Sequence, residues 1–103
     1  MSAASTTLPM DASASPAPAR VTLVTGAARG IGLAVARRFL REGWKVGLLD
    51  IDAPELAKAT AALGEPDRTL ALECDVAIGV QVDAAVAELA AGFGRIDALV
   101  NNA

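Results

Sequence analysis

Val21-Thr22-Leu23-Val24-Thr25-Gly26-Ala27-Ala28-Arg29-Gly30-Ile31-Gly32 decides the reading of this chain. Residues Val21 to Thr25 are apolar or β-branched and read as a buried strand. Beyond Gly32, Val35 and Phe39 stand four apart, with Arg37, Arg38 and Arg41 at other positions, which predicts an amphipathic helix. Between strand and helix lies a glycine-rich turn. Glycines let backbone approach an anion closely, and the first turn of a helix presents N–H groups at the positive end of its dipole. Such a turn holds phosphate, and the expected ligand is a dinucleotide.

The same alternation continues outward. Gly43 suits the left-handed cap that ends the first helix. Lys45-Val46-Gly47-Leu48-Leu49 reads as a short buried strand ending at Asp50. Asp52 is the expected N-cap of a second helix, with Pro54 in its first turn and Gly64 beyond its end near Leu63. Arg68 to Glu73 reads as a third strand, followed by Cys74-Asp75-Val76. From Ile78 to Phe93, the residues Val82, Val86, Leu89 and Phe93 mark one apolar helix face. Ile96 to Val100 is the last strand.

Apolar strands alternating with helices imply an α/β unit with a parallel sheet covered on two sides. Right-handed crossovers make it doubly wound. Ligands of such sheets bind beyond the carboxyl ends of the strands, where strand order reverses. Gly26 to Gly32, Asp50, Asp75-Val76 and Asn101-Asn102 all fall just after a strand. That coincidence weighs more than any single motif.

At 103 residues the chain is at most one small domain. Residues 1–19, rich in Ala, Ser, Thr and Pro, are expected to be a disordered leader, and residues 20–103 the dinucleotide-binding part. The leader lacks a basic start and an unbroken apolar centre, so it does not read as an export signal, and it has no arginine before Arg20 to suit a mitochondrial address. No apolar stretch is long enough to span a bilayer. A net charge of −3 argues against nucleic acid, and Arg37, Arg38 and Arg41 read as the solvated face of a helix. One cysteine and no histidine leave no disulfide and no zinc set, which fits a reducing cytoplasm.

Each motif has a bland reading. The turn could be a tight connection whose glycines only permit close packing. It lacks the lysine followed by Ser or Thr of a nucleoside triphosphate loop, which argues against phosphoryl transfer. Asp50 closes the second strand where an acid can accept from both ribose hydroxyls, and its charge repels a 2′-phosphate, favouring NAD over NADP. Arg29 pulls the other way, because a loop arginine could pair with that phosphate. Asp75 could border the ligand or simply cap the next helix. Cys74 reads as a small buried residue and Trp44 as edge packing.

Thr25-Gly26-Ala27-Ala28-Arg29-Gly30-Ile31-Gly32, with Asn101-Asn102-Ala103 at the far end, resembles the short-chain dehydrogenase/reductase family. The match is to its Thr-Gly-x-x-x-Gly-x-Gly cofactor loop and to the opening of its Asn-Asn-Ala-Gly segment, and it covers Arg20 to Ala103. The resemblance implies a Rossmann-type fold, here incomplete, with about four strands and three helices. It implies that the loop, Gly26, Arg29, Gly30, Ile31 and Gly32 included, holds the adenosine ribose and pyrophosphate. Asp75 and Val76 would border the adenine, Asn102 would lie near the cofactor ribose, and Asn101 would help hold the sheet together. The family transfers hydride between a nicotinamide and an alcohol or ketone, and its members are usually homo-oligomers.

In that family a tyrosine protonates the developing alkoxide, with a lysine four residues on. This chain has no tyrosine, and neither Lys45 nor Lys58 has one beside it, so no catalytic residue is assigned. The expectation is the cofactor-binding front part of an enzyme, inactive alone. Two other readings stand beside it: a nucleotide-binding module or truncated product without catalysis, and a methyltransferase. Asn101-Asn102 and the arginine in the loop speak against the last.

Overall fold

Burial on both sides explains why the first strand is an unbroken run rather than an alternating one. In the computed structural model, which describes residues 18–102, all five residues of β1 (Val21–Thr25) are buried. Successive side chains point to opposite faces, and each face has its own helices. Val24 joins Val46 and Leu48 against Ala36, Leu40 and Leu56. Val21 and Leu23 join Leu49 and Leu72 against Ala85 and Leu89. The first set belongs with α1 (Gly30–Arg41) and α2 (Ala53–Leu63), the second with α3 (Gly79–Phe93).

The strands β2 (Lys45–Asp50), β3 (Thr69–Glu73) and β4 (Ala98–Val100) complete a parallel sheet in the order β3-β2-β1-β4. The chain therefore moves outward from β1 to β3 and then returns to the other side of β1. Strand order reverses between β1 and β4, and the crevice there opens beside the glycine turn. This is the doubly wound, Rossmann-type α/β architecture expected from the alternation.

Helix ends follow local chemistry. The Asp52 side chain accepts from the Glu55 N–H (3.2 Å) at the start of α2, and Gly64 closes that helix with φ of 67°. At the end of α1, Arg68 donates to the Leu40 and Trp44 carbonyls (both 3.0 Å), tying the connection after the helix to the start of β3. Arg37, Arg38 and Arg41 are exposed, as a solvated face requires. Trp44 packs edge-on to Phe39 at 4.9 Å, with Arg20 over its ring.

Three details differ from the expectations. β4 is three residues long; just before it, the Asp97 N–H donates to the Val21 carbonyl (2.7 Å), and the Asp97 carboxylate accepts from the Val21 N–H (2.8 Å) and from Arg95. On α3, the buried residues are Ala85 and Leu89, while Val86 is exposed. The helix is rotated so that Leu89 lies over Gly47; a Cβ there would stand 2.8 Å from a Leu89 methyl. The expectation for residues 1–19 falls outside the described residues but for the last two.

Candidate functional site at the strand ends

Every strand delivers one piece of the site at its carboxyl end. From β1, Gly26 turns the chain with φ of 63°, and Gly30 opens α1 with φ of 59°, a region that disfavours side chains. Gly32 lies against the turn: a Cβ there would stand 2.1 Å from the Gly26 carbonyl oxygen. No side chain caps the N-terminus of α1 and no acid occupies its first turn. Its N–H groups point out of the helix beside exposed Gly30 and Ile31, where an anion can accept from them.

From β2 comes Asp50, fixed by two backbone donors. Ala28 N–H donates to its Oδ2 and Asp52 N–H to its Oδ1, each at 3.0 Å. The Ala27 N–H meanwhile donates to the Leu49 carbonyl (3.1 Å), so turn and strand end are stitched together. Asp52 holds Arg29 through an ion pair at 2.5 Å. The contact with Asp52 lifts the Arg29 guanidinium above its usual range. Asp52 is held below the ordinary carboxylate value by the Glu55 N–H and then by Arg29. The sequence held no signal for this pair, which joins residues 23 apart through a turn and a strand end.

From β3, Asp75 braces the chain before α3. Its Oδ1 accepts from the Ala77 N–H (2.9 Å), and Gln81 Oε1 accepts from its own N–H (2.8 Å). It does not occupy the cap position of α3, which belongs to Ile78 and has no side-chain acceptor. Val76 beside it is exposed, whereas Cys74 is buried, and burial pushes its thiol up, away from reactive thiolate. From β4, Thr25 Oγ1 donates to Asn101 Oδ1 (3.2 Å) and accepts from the Asn102 N–H (2.8 Å). The Asn102 side-chain amide donates to the Gly26 carbonyl (3.4 Å). Ala103 lies outside the described residues.

The structure thus gathers Gly26 to Gly32, Asp50, Asp75-Val76 and Asn102 on one edge of the sheet. An apolar groove of about 220 Å³ opens next to Val76 and Asn101 on the α3 side, lined by Leu23, Leu49 and Leu99 among others. Another cavity, between α2 and the start of β3, lies at the opposite end of the sheet. Among the described residues no acidic, histidine or cysteine cluster could hold a metal ion. No helix of the described residues is long and apolar enough to cross a membrane.

Fold and site together define a nucleotide-binding α/β class: a phosphate turn at a topological switch point, with an acid closing the second strand. Residues 20–103 match the family model described as short chain dehydrogenase, and the chain belongs to that family. Galactitol 2-dehydrogenase of Agrobacterium fabrum is 46% identical over 84 residues, 82% of this chain and 32% of that protein. Mouse (Mus musculus) 15-hydroxyprostaglandin dehydrogenase [NAD(+)] is 46% identical over 87 residues, again 82% of this chain and 32% of the relative. The crystal structure of L-sorbose reductase from Gluconobacter frateurii, complexed with NADPH and L-sorbose, superposes with a TM-score of 0.77 at 39% identity, covering 84% of this chain and 34% of that one. The chain spans about a third of the length of the curated relatives it matches.

Proposed function

We propose that residues 20–103 are the N-terminal part of the dinucleotide-binding domain of an oxidoreductase that uses NAD in preference to NADP. The observation that carries this reading is Asp50, held by the Ala28 and Asp52 N–H groups at the lip of the phosphate turn. A carboxylate so placed accepts from ribose hydroxyls and repels a 2′-phosphate. The residues fit such a cofactor, because no side chain caps α1, no acid occupies its first turn, and Gly30 and Ile31 at its start are exposed.

Gly26, Arg29, Gly30, Ile31 and Gly32 are the residues to hold the pyrophosphate and adenosine ribose. Asp75 and Val76 border the adenine, and Asn102, tied to the turn through Gly26, lies near the ribose on the β4 side. When bound, a nicotinamide accepts or gives a hydride. The substrate class is an alcohol or ketone, the complete enzyme is a homo-oligomer, and its compartment is the cytoplasm. A sugar alcohol and an NAD-linked dehydrogenase among the relatives' names support the first of these. No residue here is assigned as the proton donor, since the chain holds neither tyrosine nor histidine, and turnover by these 103 residues alone is not expected. Fluorescence titration with NADH tests the reading. Saturable binding that weakens at least about tenfold in Asp50→Ala is expected, a loss of the size of one charged hydrogen-bond set. Binding indifferent to Asp50→Ala contradicts it.

A further inference from the structure

The sequence leaves Arg29 and Asp50 in opposition over the 2′ position; the structure introduces a third party. Arg29 is turned toward the start of α2, where Asp52 Oδ2 takes its guanidinium. Asp52 cannot follow Arg29 elsewhere, because its other oxygen caps α2 through the Glu55 N–H and its own N–H is bonded to Asp50. Among the described residues Asp52 is the hydrogen-bonding partner of this guanidinium, with the charges of Glu55 and Asp50 also acting on it. From this geometry we infer that Asp52 is a positioning residue for cofactor choice: it holds Arg29 in an ion pair, leaving the charge of Asp50 uncompensated against a 2′-phosphate.

The pair is open to solvent, with side-chain exposures of 64% for Arg29 and 39% for Asp52. It is therefore weak enough to compete with, and its removal has a measurable rather than absolute effect. A phosphate carrying close to two negative charges gains when Arg29 is released to pair with it. Asn caps a helix about as well as Asp, so Asp52→Asn removes the charge and keeps the start of α2.

This inference rests on the nicotinamide dinucleotide reading above. The test is fluorescence titration of the full chain with NADH and with NADPH, comparing wild type, Asp52→Asn, Arg29→Ala and the double variant. Asp52→Asn is expected to shift the NADPH-to-NADH affinity ratio about fivefold toward NADPH, the span an exposed ion pair supports. The gain disappears in the double variant, and Arg29→Ala alone changes the ratio less than it does in the Asp52→Asn background. A ratio unmoved by Asp52→Asn, or a gain that survives loss of Arg29, overturns the inference and leaves the cofactor reading standing. Absence of binding of either dinucleotide to the wild type overturns both.

Discussion

The two faces of the sheet are finished to different degrees. On one, α1 and α2 together cover Val24, Val46 and Leu48, and the glycine turn rests on that layer through buried Ala27 and Ala28. On the other, α3 alone lies over Leu23, Leu49 and Leu72, and Leu99 of β4 remains 63% exposed beside Val86 at 39%. The phosphate-holding half of the site is thus built from completed packing, whereas the β4 half stands at the margin of an apolar surface. Exposed apolar patches of this kind favour association.

Breaking the first face should cost most. Gly32→Ala forces a Cβ into the Gly26 carbonyl, and backbone cannot move aside as a side chain can. We expect a loss of about 3 kcal/mol or more in urea unfolding, with loss of dinucleotide binding. Leu89→Ala removes the one fully buried anchor of α3, at about 3 kcal/mol by the same measurement. Gly47→Ala presses on the flexible ends of Leu89 and Leu23 and costs less, about 1–2 kcal/mol. On the open face, Leu99→Ser should change stability by no more than about 0.5 kcal/mol while reducing self-association in light scattering. A Leu99 substitution as costly as Leu89→Ala would erase the contrast between the packed sheet and its β4 margin.

The smallest effect is acid sensitivity. Asp97 is held below its ordinary value of 3.8 by Arg95 and then by the Val21 N–H, and Asp52 by the Glu55 N–H and then by Arg29. A depressed folded-state value means that the stabilisation is full above the unfolded value and is lost as pH falls through the folded one. Thermal unfolding should therefore be insensitive to these groups at neutral pH and weaken below about pH 4. The Asp97→Asn variant should lose part of that acid dependence.

Much of this was legible because it is local. The β-branched run of β1, the Asp52 cap with Pro54 behind it, and Gly64 at a left-handed helix end are each set by a few neighbouring residues. Asp50 was legible from its place at the end of β2, but not the two N–H groups that hold it, since Ala28 lies 22 residues away. Gly47 carries a readable signal: a glycine inside a strand marks close approach by another element, here Leu89. The rotation of α3 onto Ala85 and Leu89, leaving Val86 out, follows from that approach. Periodicity alone could not supply it, because alanines on several sides blur the apolar face. The Arg29–Asp52 pair depends on where a turn and a strand end meet in space, and residue types do not report that.

The central claim is that one edge of the sheet, the carboxyl ends of its strands, receives a dinucleotide. Backbone amide chemical shifts recorded during titration with NADH test it most directly. The account predicts shifts concentrated at Gly26 to Gly32, Asp50 to Asp52, Asp75-Val76 and Asn102, with little change at the start of β3 or the end of α1. Shifts centred instead on the cleft lined by Arg37, Arg41 and Arg68 at the opposite end would contradict it.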